Sequence, residues 1–311
     1  MAAPTARPLD ANRLLAPEVL AGLSGLDVVA KTIVRGFVAG LHRSPFLGSG
    51  EDFDRHRAYQ QGDDVRRLDW RLYGRTDRLH VRLFQEDSNL QAYILIDATE
   101  SMGFQGSNGV SKLRYAQFVG AALSHLMLKS GDAVGLASVS AKVSLHVPPR
   151  NRGGHLNDVL LAMERLRPAG SGSVAEALDE VGAALRKKGR VVVLSDCLEG
   201  ESGAELAGAV GRLRARGDEV QVLRVATAVE LGEVDAGPAR YFDPENPGQT
   251  TAGDPSRDPC FREKVAAYYR RLGRRLEEQG AEFVPLRTDM PVVTALRRWL
   301  TERINRARQP G

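Results

Sequence analysis

Cysteine is scarce in this chain of 311 residues: Cys197 and Cys260 stand far apart and form no C-x-x-C pair. Neither a disulfide scaffold nor a thiolate zinc site is expected, and both residues read as plain thiols. The six histidines, at 42, 56, 80, 125, 146 and 155, show no H-x-x-x-H spacing and read as surface or satisfied structural residues. No G-x-x-x-x-G-K-[ST] loop occurs and no G-x-G-x-x-G follows a strand, so the chain is not expected to bind a nucleotide itself. A G-x-S-x-G elbow is missing too, which argues against a serine hydrolase.

Long apolar runs are also absent. No uncharged stretch approaches the ~20 residues that span a bilayer, and the most apolar early segment, DVVAKTIVRGFVAGL, is broken by Lys31 and Arg35. The start, MAAPTARPLDANRLL, lacks the apolar region of a signal peptide. A cytoplasmic protein without a membrane span is the expectation. Charge of one sign is lacking as well: 43 Lys and Arg against 39 Asp and Glu leave a net +4. Arginines concentrate between Arg55 and Arg82, but Asp54, Asp63, Asp64, Asp69 and Asp77 are interleaved with them. That alternation reads as salt-bridged surface rather than a phosphate-tracking stripe, so nucleic acid is not an expected partner.

What is present is an ordinary globular composition, 42% apolar and 26% charged, long enough for one large α/β domain with an appendage or for two modest domains. From residue 90 onward, short β-branched runs alternate with longer helical periods, the pattern of a doubly wound sheet. AYILID (92–97) reads as a central strand, apolar on both faces. A helix follows at 112–131, with Gly131 closing it. AVGLASVS (133–140) and KVSLHVPP (142–149) are separated by almost nothing, so they form a hairpin and one strand must run antiparallel to the rest. Helices are expected at 155–166, 173–189, 203–217, 260–279 and from Pro291 to Arg308, with strands at 190–196, 219–227 and 281–289. The Gly-, Pro- and Asp-rich stretch 228–259 reads as an excursion, with ARYFD and TTAGD flanking Pro244–Gly248 as a small hairpin. Residues 1–88 form a separate segment: a helical stretch interrupted by Pro17 and glycines, a turn at GSGED (48–52), and a charged block with Trp70, Tyr73 and the strand-like LHVRLF (79–84). The expected division is thus 1–88 and an α/β domain at 89–311.

The stretch YILIDATESM (93–102) carries the chemistry. In an open α/β sheet, residues just past the carboxyl ends of central strands converge on the ligand crevice. If the chain stays extended, Asp97, Thr99 and Ser101 project to one side because strand side chains alternate. One carboxylate and two hydroxyls are hard ligands, suited to Mg²⁺ or Mn²⁺. RVVVLSDC delivers Asp196 to the same edge, and PAGSGSVAEAL offers Ser171 and Ser173 on a loop that opens a helix. The plainer reading makes the acid and hydroxyls caps for the turn and the following helix. An aspartyl-nucleophile phosphotransferase would need a second Asp two residues after Asp97, where Thr99 stands.

D-x-[ST]-x-S after the first strand, a hydroxyl on a glycine-bearing loop and an Asp after a later strand resemble the metal-ion-dependent adhesion site of von Willebrand factor type A domains. The element order fits that fold as well. Upstream, GSGEDFDRHRAYQQGDDVRRLDWRLYGRTDRLHVRLFQED resembles the signature block of the bacterial MoxR-associated family of unknown function numbered fifty-eight; the two resemblances together cover residues from about 40 to 290. They imply a metal site at Asp97, Thr99, Ser101, Ser171, Ser173 and Asp196, whose ion takes an acidic side chain from a partner protein. They also imply a MoxR-type AAA+ ATPase as partner, with this chain as its non-enzymatic adaptor or co-chaperone. The second loop departs from the type A pattern. Where Gly-Gly-Thr-Asp-Leu is usual, this chain has Gly170-Ser171-Gly172-Ser173-Val174, so the threonine slot falls on Gly172. Either a neighbouring serine substitutes or the coordination is incomplete. Two other readings stay open: a metal-dependent hydrolase or phosphotransferase on the same edge with Glu100 as its base, and a vestigial site with 228–259 as the binding surface. The Asp69-Trp70 pair reads either as packed structure or as a partner surface.

Overall fold

The computed structural model describes residues 15–23, 25–41, 55–58, 80–83, 90–198, 203–234, 239–242, 250–253 and 260–307. Two compact units divide the chain, Met1–Phe37 with Asn89–Gly311, and Val38–Ser88. The early helices, the second of them as far as Phe37, therefore group with the sheet, where the sequence grouped them with the segment ahead of residue 89. They are α1 (Pro17–Ala21) and α2 (Leu26–Leu41). On α2 the buried residues Leu26, Val29, Ala30, Ile33, Val34 and Phe37 recur at helical spacing. Lys31 and Arg35, which interrupt the apolar run in sequence, face solvent. Within Val38–Ser88, β1 (Arg55–Ala58) pairs antiparallel with β2 (His80–Leu83). GSGED and the Asp69-Trp70 pair lie outside the described residues.

The sheet of the larger unit contains β3 (Gln91–Asp97), β4 (Ala133–Val139), β5 (Val143–Arg150), β6 (Gly189–Ser195), β7 (Glu219–Ala226) and β10 (Glu282–Arg287), in the order β10-β7-β6-β3-β4-β5. All neighbours are parallel except β4 and β5, so the doubly wound sheet with one antiparallel edge strand is as expected. The short strands β8 (Ala239–Phe242) and β9 (Thr250–Gly253) form the excursion hairpin.

Helices α3 (Lys112–Lys129), α4 (His155–Glu164), α5 (Val174–Ala184), α6 (Ala204–Ala215), α7 (Phe261–Glu278) and α8 (Val292–Ala307) cover the sheet. One core joins alternate residues of the strands, such as Leu95, Val139, Val193 and Val222, to Leu178, Val210, Leu272 and Leu276 of α5, α6 and α7. Residues of opposite parity face α3 and α8, where Trp299 Nε1 donates to Gln221 Oε1 at 2.7 Å. With both faces buried, the interiors of β3 (92–96) and β6 (191–194) must be apolar, and they are, with polar residues confined to the strand ends. No helix among the described residues is long and apolar enough to cross a membrane.

One boundary differs from expectation. The helix expected at 173–189 stops at Ala184, because Leu185 turns extended (φ −73°, ψ 117°). Gly189 already belongs to β6, where its N–H donates to Asp218 Oδ1 at 2.9 Å. The basic residues 186–188 are a link, not a helix end.

Candidate metal centre

Strand β3 lies between β4 and β6, with Asp97 opposite Val139 and Ile96 opposite Leu194. The chain order reverses between β3 and β6, so their carboxyl ends bound the crevice that open α/β sheets use for ligands. Asp97 ends β3. Beyond it, Ala98 is held on both sides, its N–H on Val139 O at 2.7 Å and its carbonyl on Ala169 N–H at 2.8 Å. Thr99 is extended (φ −66°, ψ 165°), but Glu100–Gly103 is a single 3₁₀ turn. The three oxygens therefore do not meet through strand alternation. Thr99 folds back on Asp97, donating N–H and Oγ1–H to Oδ1 at 2.9 and 2.6 Å, and the 3₁₀ turn brings Ser101 Oγ within 3.2 Å of Thr99 Oγ1.

Asp196 completes the cluster, its Oδ2 accepting from Ser101 Oγ at 2.8 Å. Asp97, Thr99, Ser101 and Asp196 thus form an unbroken run of oxygen contacts, three of the four residues buried and Ser101 partly so. Their supports are equally definite. Ser195 Oγ donates to Asp97 Oδ2 at 2.6 Å, Leu198 N–H to Asp196 Oδ1 at 3.1 Å, and Tyr269 OH to Asp196 O at 3.1 Å. Cys197 sits at φ 57°, a left-handed conformation uncommon outside glycine, which turns the chain sharply after Asp196. Burial pushes its thiol pKa up, in keeping with a plain, unreactive cysteine.

The second loop contributes less than the resemblance implies. Ser173 caps α5, accepting from Ala175 and Glu176 N–H at 3.1 and 3.3 Å, and Ser171 is exposed. Gly172 donates its N–H to Ser140 O at 2.6 Å. A Cβ at Gly172 would lie 2.2 Å from that same oxygen. The missing threonine is therefore sterically enforced.

An ammonium also reaches the cluster, from another direction. Lys112, the first residue of α3 and 0% exposed, places Nζ 2.7 Å from Asp196 Oδ2 and 2.5 Å from Glu230 Oε1. Glu230 is fixed by a reciprocal cap: its Oε2 accepts from Thr227 N–H and Oγ1–H at 2.9 Å each, while its N–H donates to Thr227 Oγ1 at 3.2 Å. Burial alone would depress the Lys112 pKa; Asp196 and Glu230 overcome it, and the net direction is upward.

Among the described residues, no such cation pairs with Asp97. Burial first, then the Asp196 charge, raise its pKa to about 7 against the bonds from Ser195 and Thr99. Its folded pKa lies above the ordinary 3.8, so its contribution to stability is full below that value and is lost as pH rises through about 7. Metal-stripped protein should lose denaturant resistance between pH 5 and 8 more than Asp97→Asn does. Parallel curves would contradict the assignment.

Two carboxylates and two hydroxyls make a hard-oxygen set of the kind that Mg²⁺ or Mn²⁺ takes, ions that commonly keep waters in their remaining positions. Among the described residues no group of three or more His, Cys, Asp or Glu could hold a metal ion, so any ion at this edge would draw on hydroxyls and water beside the two carboxylates. Lys112, Glu230 and Ser195 escaped the sequence reading, although two left signals. Thr227-x-x-Glu230 is a capping-box pattern, and a lysine opening a helix with no acid in its first turn carries the wrong sign for the helix dipole.

A family profile described as "Protein of unknown function DUF58" matches residues 55–274. The uncharacterized protein Rv1480 of Mycobacterium tuberculosis is 28% identical over 296 residues, spanning 92% of this chain and 90% of its own. Among solved structures, the conserved hypothetical protein BatB from Bacteroides thetaiotaomicron aligns with a TM-score of 0.49 at 16% identity, covering 70% of this chain and 99% of that one. A von Willebrand factor type A protein from Catenulispora acidiphila aligns with a TM-score of 0.41 at 14% identity, covering 68% of this chain and 41% of the other.

Proposed function

The chain belongs to the family described as protein of unknown function DUF58, and on that premise we propose that it is a non-enzymatic protein-interaction module whose sheet edge takes Mg²⁺ or Mn²⁺. The observation that carries this reading is the run of oxygens from Asp97 through Thr99 and Ser101 to Asp196 at the crevice between β3 and β6. When bound, the ion supplies a hard positive centre at which a partner's carboxylate can replace water. Asp97 and Asp196 contribute charge, and the Thr99 and Ser101 hydroxyls contribute neutral oxygens. Ser195 and the Thr99 amide hold the Asp97 carboxylate in place. Ser171 and Ser173 remain proposed ligands only through rearrangement of the second loop, since one is exposed and the other caps α5.

The partner we propose is a MoxR-type AAA+ ATPase, with this chain as its cytoplasmic adaptor or co-chaperone; the resemblance of the GDDVRRLDW block supports it. ATP hydrolysis then belongs to the partner. A hydrolase or phosphotransferase on the same edge has less support. Its general base would be Glu100, which is exposed on the 3₁₀ turn.

A binding assay with the purified MoxR-type ATPase of the same organism tests the proposal. Association should require Mg²⁺ or Mn²⁺, weaken at least about tenfold with chelator, and weaken equally in Asp97→Ala. Binding indifferent to chelator and variant would remove the metal mechanism, and no binding at all would remove the partner.

A further inference from the structure

Among the described residues, Lys112 is the one positive charge bonded to the edge cluster, and its position is unusual on three counts. It opens α3, where the helix dipole disfavours a cation. It is 0% exposed, and a buried ammonium is costly unless paired. Its partner oxygen, Asp196 Oδ2, is the same atom that accepts the Ser101 hydroxyl. An ion approaching Ser101 and Asp196 would therefore meet a positive charge already bonded to the carboxylate it needs.

We infer that Lys112 is the residue that sets ion affinity at this edge, a built-in counter-charge shared between Asp196 and Glu230 that offsets one of their two negative charges and keeps ion binding weak and reversible. The inference rests on the reading of Asp97, Thr99, Ser101 and Asp196 as an ion site. It accounts for one ammonium bridging Asp196 and Glu230, so that an ion at Asp196 competes with a charge the fold already supplies. It also assigns the Thr227–Glu230 cap a purpose: the cap fixes one carboxylate so that Lys112 is shared between two acids rather than held by Asp196 alone.

The test is Mn²⁺ binding to the metal-stripped full chain, read from the electron paramagnetic resonance of free Mn²⁺, with melting temperatures alongside. Lys112→Met should bind Mn²⁺ at least about tenfold more tightly than wild type, because like-charge repulsion is removed in a low-dielectric site. Its metal-free form should melt lower and regain most of the loss when saturated with Mn²⁺. Equal or weaker affinity in this variant overturns the inference. Should Lys112→Met fail to fold without metal, Glu230→Gln provides the second arm. With Glu230 neutral, the ammonium bears on Asp196 alone, and Mn²⁺ affinity should fall several-fold; unchanged affinity overturns the inference. Mn²⁺ bound by wild type, lost in Asp97→Ala and no tighter in Lys112→Met refutes the role of Lys112 and leaves the ion site standing. No binding by wild type or by Lys112→Met refutes both.

Discussion

Gly172→Thr, which writes the type A threonine back into the second loop, is expected to destabilise the protein by about 2–4 kcal/mol and to leave ion affinity no better. Any Cβ at this position lies 2.2 Å from Ser140 O and 2.8 Å from Val139 Cγ2, both on or just after β4. The neighbour is backbone, so it cannot swing aside as a flexible side chain would. Relief would require breaking the 2.6 Å bond from Gly172 N–H to Ser140 O, which ties the loop to the sheet beside Asp97. A drop of several degrees in melting temperature is the signature expected for a unit of this size. A variant that melts as wild type does and binds Mn²⁺ more tightly would mean that the loop adopts the type A conformation after all.

That contrast bears on what could be read in advance. The apolar run 92–96 ending on Asp97 required a strand buried on both faces with an acid at its exit, and the near absence of a linker between residues 140 and 142 required a hairpin; both follow from local chemistry. The meeting of Asp97, Thr99 and Ser101 was legible in outcome but not in cause. Strand alternation predicts it only for an extended chain, whereas the protein turns into a 3₁₀ helix at Glu100 and uses the Thr99 hydroxyl to bridge. Pairing of β1 with β2 was not legible, because each strand is four residues long and charged residues occupy half of β1.

The second loop shows why a motif alone was insufficient. Ser171 and Ser173 have the right chemistry, yet Ser173 is used by the backbone of α5, and Gly172 is dictated by the approach of Ser140. Both facts depend on how close two segments come, which spacing does not report. Lys112 belongs to the same class. Its wrong-signed position at the start of α3 could have raised the question, but only the fold brings Asp196 and Glu230, 84 and 118 residues away, onto its ammonium. Among the described residues no cation pairs with Asp97, and this is the residue whose removal should have the largest effect on the site.

Asp97→Ala removes the carboxylate that accepts from Thr99 N–H, Thr99 Oγ1–H and Ser195 Oγ–H. Three buried donors lose their acceptor, so Thr99 and Ser101 are released from the geometry that makes them ligands. Loss of supporting bonds around a metal site typically costs about 10–100-fold in affinity, and loss of the charged ligand itself adds to that. Calorimetric titration of Mn²⁺ into metal-stripped protein, wild type beside Asp97→Ala, is the most direct measurement. Saturable binding near one ion per chain, weakened at least about a hundredfold in the variant, is the predicted result; equal binding by the two proteins, or none by wild type, would contradict the ion site.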